Sequence, residues 1–104
     1  MNWDSEQKKL LVEAVLSLKT AKEAQSFCRD LLTPQEIEEF AKRLEAAALL
    51  SAKTSYLTIE KRTGLSSTTI ARVSKFLNGP ENGYRTVLKR IHHHTSPPMR
   101  SGLS

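Results

Sequence analysis

The sequence predicts an all-α chain of about six helices, and three observations carry that expectation. Apolar residues recur at three- and four-residue spacing in segment after segment. Ser and Thr stand just ahead of several of those segments, twice with Glu three positions later. Gly64 and the run Asn78-Gly79-Pro80 fall where such segments stop.

The first helix is expected from near Trp3 or Asp4 to Leu18. Asp4 is its cap, Glu6 its first-turn anion, and Leu10, Leu11, Ala14, Val15 and Leu18 its apolar stripe. Thr20-Ala21-Lys22-Glu23 is a capping-box pattern that opens the second helix, with Ala24, Phe27, Cys28 and Leu31 as its inner face. Leu32-Thr33-Pro34-Gln35-Glu36-Ile37 is the clearest start in the chain. Thr33 caps, Pro34 forfeits only an N–H that has no helical partner, and Glu36 closes the box. That third helix continues to about Leu50. Its Glu36, Glu38, Glu39 and Glu45 read as a solvated acidic face, not as a paired-carboxylate active site.

Tyr56 to Leu77 organises the rest. Ser55 caps a short helix, Gly64 supplies a turn that needs positive φ, and Ser66 caps a second helix. Ile70, Val73 and Leu77 then recur on the inner face of that second helix. Ser67, Thr68, Ala71, Arg72 and Lys75 are left outside. Small hydroxyl, methyl and basic groups on one exposed helix suit a DNA major groove. The segment therefore reads as a helix-turn-helix over 56–77. Gly79 is expected to form a left-handed cap after it. Tyr84, Val87, Leu88 and Ile91 form a last amphipathic helix.

Beyond this helix, HHHTSPPMRSGLS offers nothing to bury, so 93–104 reads as a disordered tail after a domain spanning 1–92. His92, His93 and His94 point about 100° apart if helical and cannot converge on one ion. No metal and no cofactor are expected.

Charge divides the chain. Residues 1–52 carry 7 Lys+Arg against 9 Asp+Glu, whereas residues 53–104 carry 9 against 2. The positive balance lies where the helix-turn-helix lies, and nucleic-acid phosphate is its natural counterpart. Lys53, Lys61 and Arg62 surround the motif and are expected to join Arg72 and Lys75 in neutralising phosphates. The longest wholly apolar run, Ala46 to Leu50, is far too short to span a bilayer, and residues 1–20 lack a secretory pattern. The single Cys28 excludes an internal disulfide and suits a reducing cytoplasm. No nucleophile–base pair, metal-ligand spacing or phosphate-cradling Gly loop points to an enzyme.

The run LLTPQEIEEFAKRLEAAALL, followed by TGLSSTTIARV and then NGPENGYRTVLKRI, resembles the Trp repressor superfamily. Within it, KTSY, TGxSxxTIxRV and LNxxxxGYxxVLxR in this order are similar to the YerC/YecD-like branch. The similarity spans roughly residues 6–92. It implies an intertwined homodimer whose first three helices form the core, with two reading heads facing successive major grooves of a near-palindromic operator. It also implies a counterpart of the corepressor pocket. Thr33, Arg43 and Arg72 match the family's threonine and its two ligand-holding arginines. Val73 stands where the family has a glycine that makes room for the indole, so tryptophan is not expected to fit. Glu60 replaces the alanine common in such motifs and must bend outward unless the helices separate slightly.

The function expected is sequence-specific duplex binding by a homodimeric transcriptional regulator, most simply a repressor. Two rivals remain open: a repressor answering to another amino acid or small ligand, and a protein-interaction module that has lost DNA binding.

Overall fold

The computed structural model describes residues 1–94, with side chains described through Ile91. Six helices run in order: α1 Glu6–Ser17, α2 Ala21–Leu31, α3 Pro34–Ser51, α4 Tyr56–Thr63, α5 Ser67–Leu77 and α6 Gly83–His94. Among the described residues there is no strand. Two compact units are present, one spanning Met1–Ile37 and one beginning at Glu38.

In the first unit the helix starts are local and hydroxyl-driven. Ser5, not Asp4, caps α1, its Oγ accepting from Lys8 N at 3.2 Å. A serine oxygen one residue nearer the helix reaches the first-turn N–H that the more distant carboxylate was expected to take. The helix ends at Ser17, with Leu18 as its extended C-cap. At α2, Thr20 Oγ1 accepts from Glu23 N at 3.1 Å, but the Glu23 carboxylate takes the Lys19 N–H instead of closing back on Thr20. At α3 the box is reciprocal: Glu36 N donates to Thr33 Oγ1 at 3.1 Å and Thr33 N to Glu36 Oε1 at 2.9 Å. No residue of α1 or α2 is buried within this chain, and Leu31, expected inside, is exposed. Cys28 is half-buried.

The second unit holds the core. Ala46 and Ala47 of α3 meet Ile59 of α4, Leu65 of the turn, and Ile70 and Val73 of α5, with Leu49, Leu50, Tyr84 and Leu88 packed around them. Both alanines are fully buried at this contact. Lys53 ends α3 in the left-handed region at φ 65. Its N–H bonds to Leu50 O and the Thr54 N–H to Leu49 O, which caps the last carbonyls in the Schellman pattern. Lysine occupies a position that glycine usually takes.

After α5 the turn differs from expectation. Asn78 caps the helix at φ −96, and Asn82 carries the left-handed residue at φ 61. Gly79 does not. A Cβ there would lie 3.1 Å from Lys75 O, a tight contact, so close approach and not φ is what favours glycine. The last helix continues through His94, so the backbone at 93 and 94 is helical where a tail was expected; residues 95–104 of that tail lie outside the described residues.

Candidate nucleic-acid interface

The helix-turn-helix is built from local signals that agree with one another. Ser55 Oγ accepts from Thr58 N, and Ser66 Oγ accepts from Thr69 N, each at 3.2 Å. Gly64 takes φ +78 and its N–H closes α4 on Glu60 O. Thr63, unnoticed in the sequence, completes the turn. Its buried hydroxyl donates to Ile59 O at 2.7 Å and accepts from Leu65 N at 3.1 Å. The turn therefore leaves the Leu65 N–H paired although Leu65 itself is buried. Glu60 is partly exposed, and α4 remains packed against α5.

Helical geometry sorts the α5 side chains. At 100° per residue, Ile70, Val73 and Leu77 fall within about 60° of arc. All three are buried. Ser67, Thr68, Ala71, Arg72 and Lys75 fall within about 140° on the far side. All five are exposed. The inner face fastens the helix to the core, and the outer face is left as a convex ridge of small polar groups with two cations.

The surrounding cations divide into two kinds. Lys53, Lys61, Arg72 and Lys75 are exposed and, among the described residues, make no ion pair. Arg62 is exposed too, but its Nη2 lies 3.8 Å from Glu45 Oε2 on α3.

The expected pocket residues are placed differently. Thr33 is committed to capping α3. Arg43 Nε donates to Glu39 Oε2 at 3.2 Å, one helical turn away, and its guanidinium lies 5.5 Å from the Phe40 ring centroid. Val73 is only 4% exposed and belongs to the core. A separate open apolar groove of about 490 Å³ lies between Leu44, Phe76, Tyr84 and Val87, with Glu81 and Gly83 at its edge. Arg85, also unnoticed in the sequence, reaches from α6 to the end of α5. Its Nε donates to Leu77 O at 3.1 Å and its Nη2 to Asn78 Oδ1 at 2.6 Å.

The family model described as Trp repressor protein matches residues 6–92. The chain belongs to the Trp repressor family. It is 41% identical over 81 residues to a Bacillus subtilis (strain 168) relative, the "Uncharacterized protein YerC", an alignment covering 78% of each chain. It also superposes with a TM-score of 0.80 on a TrpR-like protein from Eubacterium eligens, at 38% identity, over 85% of this chain and 91% of that one. This is therefore an all-α Trp-repressor-like fold of the YerC kind. Among the described residues, no helix is long and apolar enough to cross a membrane.

Proposed function

We propose that this chain is a sequence-specific double-stranded DNA-binding protein that regulates transcription as a homodimer, acting as a repressor by occupying its operator. The observation that carries the reading is the α5 ridge. Its three apolar residues are buried, while Ser67, Thr68, Ala71, Arg72 and Lys75 stay exposed together. Ser67 and Thr68, at the start of the helix, approach base edges directly or through water. Arg72 reads guanine or holds a phosphate. Lys75, Lys61 and Lys53 hold the backbone on either side, and Arg62 joins them once it leaves Glu45.

Dimerisation is supported by what this chain leaves uncovered. Leu10, Val15 and Leu16 on α1 are all more than half exposed, with Leu16 at 79%. A second copy covering these faces would also set two reading heads on successive major grooves.

Selection from random duplex DNA tests the function. Enrichment of a two-fold symmetric site is expected. The double variant Arg72→Ala/Lys75→Ala should then lose about four units of salt slope, two from each protomer, and most of its affinity. Unchanged binding by the double variant would place the DNA surface elsewhere and leave the protein-interaction reading in front.

Tryptophan control is not part of the proposal, because Val73 fills the core beside Arg72. Calorimetry should show no tryptophan heat with the wild-type chain. An amino-acid panel tests for a smaller effector, and Val73→Gly tests whether any remnant of an indole slot survives.

A further inference from the structure

From the contacts between α6 and the end of α5, we infer that Arg85 is a positioning residue for DNA binding, holding the C-terminal end of the recognition helix α5 in its docking orientation. This rests on the DNA-binding reading and names the device that aims its reading head.

The last carbonyls of a helix have no partners within it, and such ends fray. At the end of α5 the Asn78 N–H takes Ser74 O at 3.0 Å and the Gly79 N–H takes Phe76 O at 3.1 Å, and a side-chain relay adds to these bonds and takes Leu77 O. Arg85 Nε donates to Leu77 O at 3.1 Å, and Nη2 donates to Asn78 Oδ1 at 2.6 Å. The Asn78 side chain is thereby oriented, and its Nδ2 donates in turn to Ser74 O at 2.9 Å. One guanidinium thus engages two carbonyls of the last turn of α5, Leu77 O directly and Ser74 O through Asn78. Its charge also lies at the negative end of the α5 dipole, where a cation is favoured.

The geometry needs arginine. Two donors of one planar fork reach two acceptors on consecutive residues, and a lysine ammonium on its flexible stem does not reproduce that fork. The chain between the two ends runs Asn78-Gly79-Pro80-Glu81-Asn82. The Gly79 N–H bonds back to Phe76 O at 3.1 Å, which holds the start of this turn against α5. Arg85 closes this turn from the α6 side. Arg72 and Lys75 lie within the last two turns of α5, so a frayed end would move the cations of the proposed interface.

A phosphate-binding role for Arg85 predicts a different result from a positioning role, and two variants separate them. The full-length chain is titrated with its selected duplex across a salt series, as wild type, Arg85→Lys and Arg85→Ala. Amide exchange over residues 74–79 is followed in the same proteins without DNA. Positioning predicts that both variants lose affinity by a similar factor, about tenfold, because hydrogen bonds to a charged group are being removed. It also predicts an unchanged salt slope and faster exchange of the Asn78 and Gly79 amides. Asn78→Ala should reproduce part of the loss, and Arg85→Ala in that background should add only the part carried by the direct Nε bond to Leu77 O, so the two losses are less than additive.

Full retention of affinity in Arg85→Lys, with a slope lower by about two in Arg85→Ala, one for each protomer, would make Arg85 a phosphate contact and overturn the inference. Unchanged affinity and exchange in both variants would overturn it as well. Should Arg85→Ala fail to fold, Arg85→Lys and Asn78→Ala decide the matter by the same two readouts. If the wild-type chain selects no duplex at all, the DNA reading fails on its own terms, and the exchange comparison still decides whether Arg85 holds the end of α5.

Discussion

Glu45 on α3 and Arg62 on α4 face each other across 3.8 Å, with side chains 43% and 60% exposed. Arg62 is the cation of the proposed interface that is already engaged within the chain. Duplex binding through Arg62 must break this pair, so Glu45 competes with phosphate for the same guanidinium. An exposed pair of this kind contributes about 0.2–1 kcal/mol. Glu45→Gln should therefore tighten duplex binding by about 1.4- to fivefold for each protomer, with little change in melting temperature. Fluorescence anisotropy at low salt reads the first and thermal denaturation the second. Binding that is unchanged or weaker would remove Arg62 from the interface.

Lys53 holds φ 65 at the end of α3, a conformation that costs a side chain about 1 kcal/mol relative to glycine. Lys53→Gly should stabilise the fold by about 0.5–1 kcal/mol while lowering the salt slope of duplex binding by about two, one for each protomer. The two effects have opposite signs for fold and function. If the slope stays the same while stability rises, the lysine serves no phosphate and its presence at this position has no functional account.

The helix-turn-helix was legible because its determinants are local. Ser55, Gly64 and Ser66 each act on residues within three or four positions, and the period of Ile70, Val73 and Leu77 marks the inner face directly. The boundaries 56–77 follow from those alone. Sequence spacing carries no comparable signal for Arg85, whose partners lie seven and eight residues away across a turn. The left-handed residues were misread at one turn for a related reason. Gly79 looks like a left-handed cap, but a close approach to Lys75 O also favours glycine, and Asn82 can take the positive φ instead. For α1 and α2, periodicity finds the apolar face but does not tell whether the same chain covers it. Leu10, Val15 and Leu31 belong to those faces and are exposed in this chain.

Gly64 tests whether conformation alone sets the angle between α4 and α5. A Cβ there meets nothing within 4 Å, so Gly64→Ala carries no steric penalty beyond its own φ of +78. The expected cost is about 1 kcal/mol, read by denaturant unfolding with an unchanged m-value. Gly64→Asn, which tolerates the left-handed region better, should recover much of it. Equal losses in both variants would mean that the turn opens and the two helices reorient.

Thr63 is the buried polar residue of the motif, and its hydroxyl has two obligations at once. It donates to Ile59 O and accepts from Leu65 N, which has no other role in the turn than to follow Gly64 into α5. Thr63→Val keeps the shape and removes the acceptor, leaving a buried N–H without a partner. The expected destabilisation is about 1–3 kcal/mol. Thr63→Ser keeps the hydroxyl and loses one methyl, so its cost should be about 1 kcal/mol or less. The ordering Val worse than Ser is the reverse of what hydrophobic burial alone predicts at a site 5% exposed. Thermal unfolding of the two variants settles which term governs the turn. If Thr63→Val is the more stable of the two, the Leu65 N–H has found water or another acceptor, and the turn is looser than its hydrogen bonds imply.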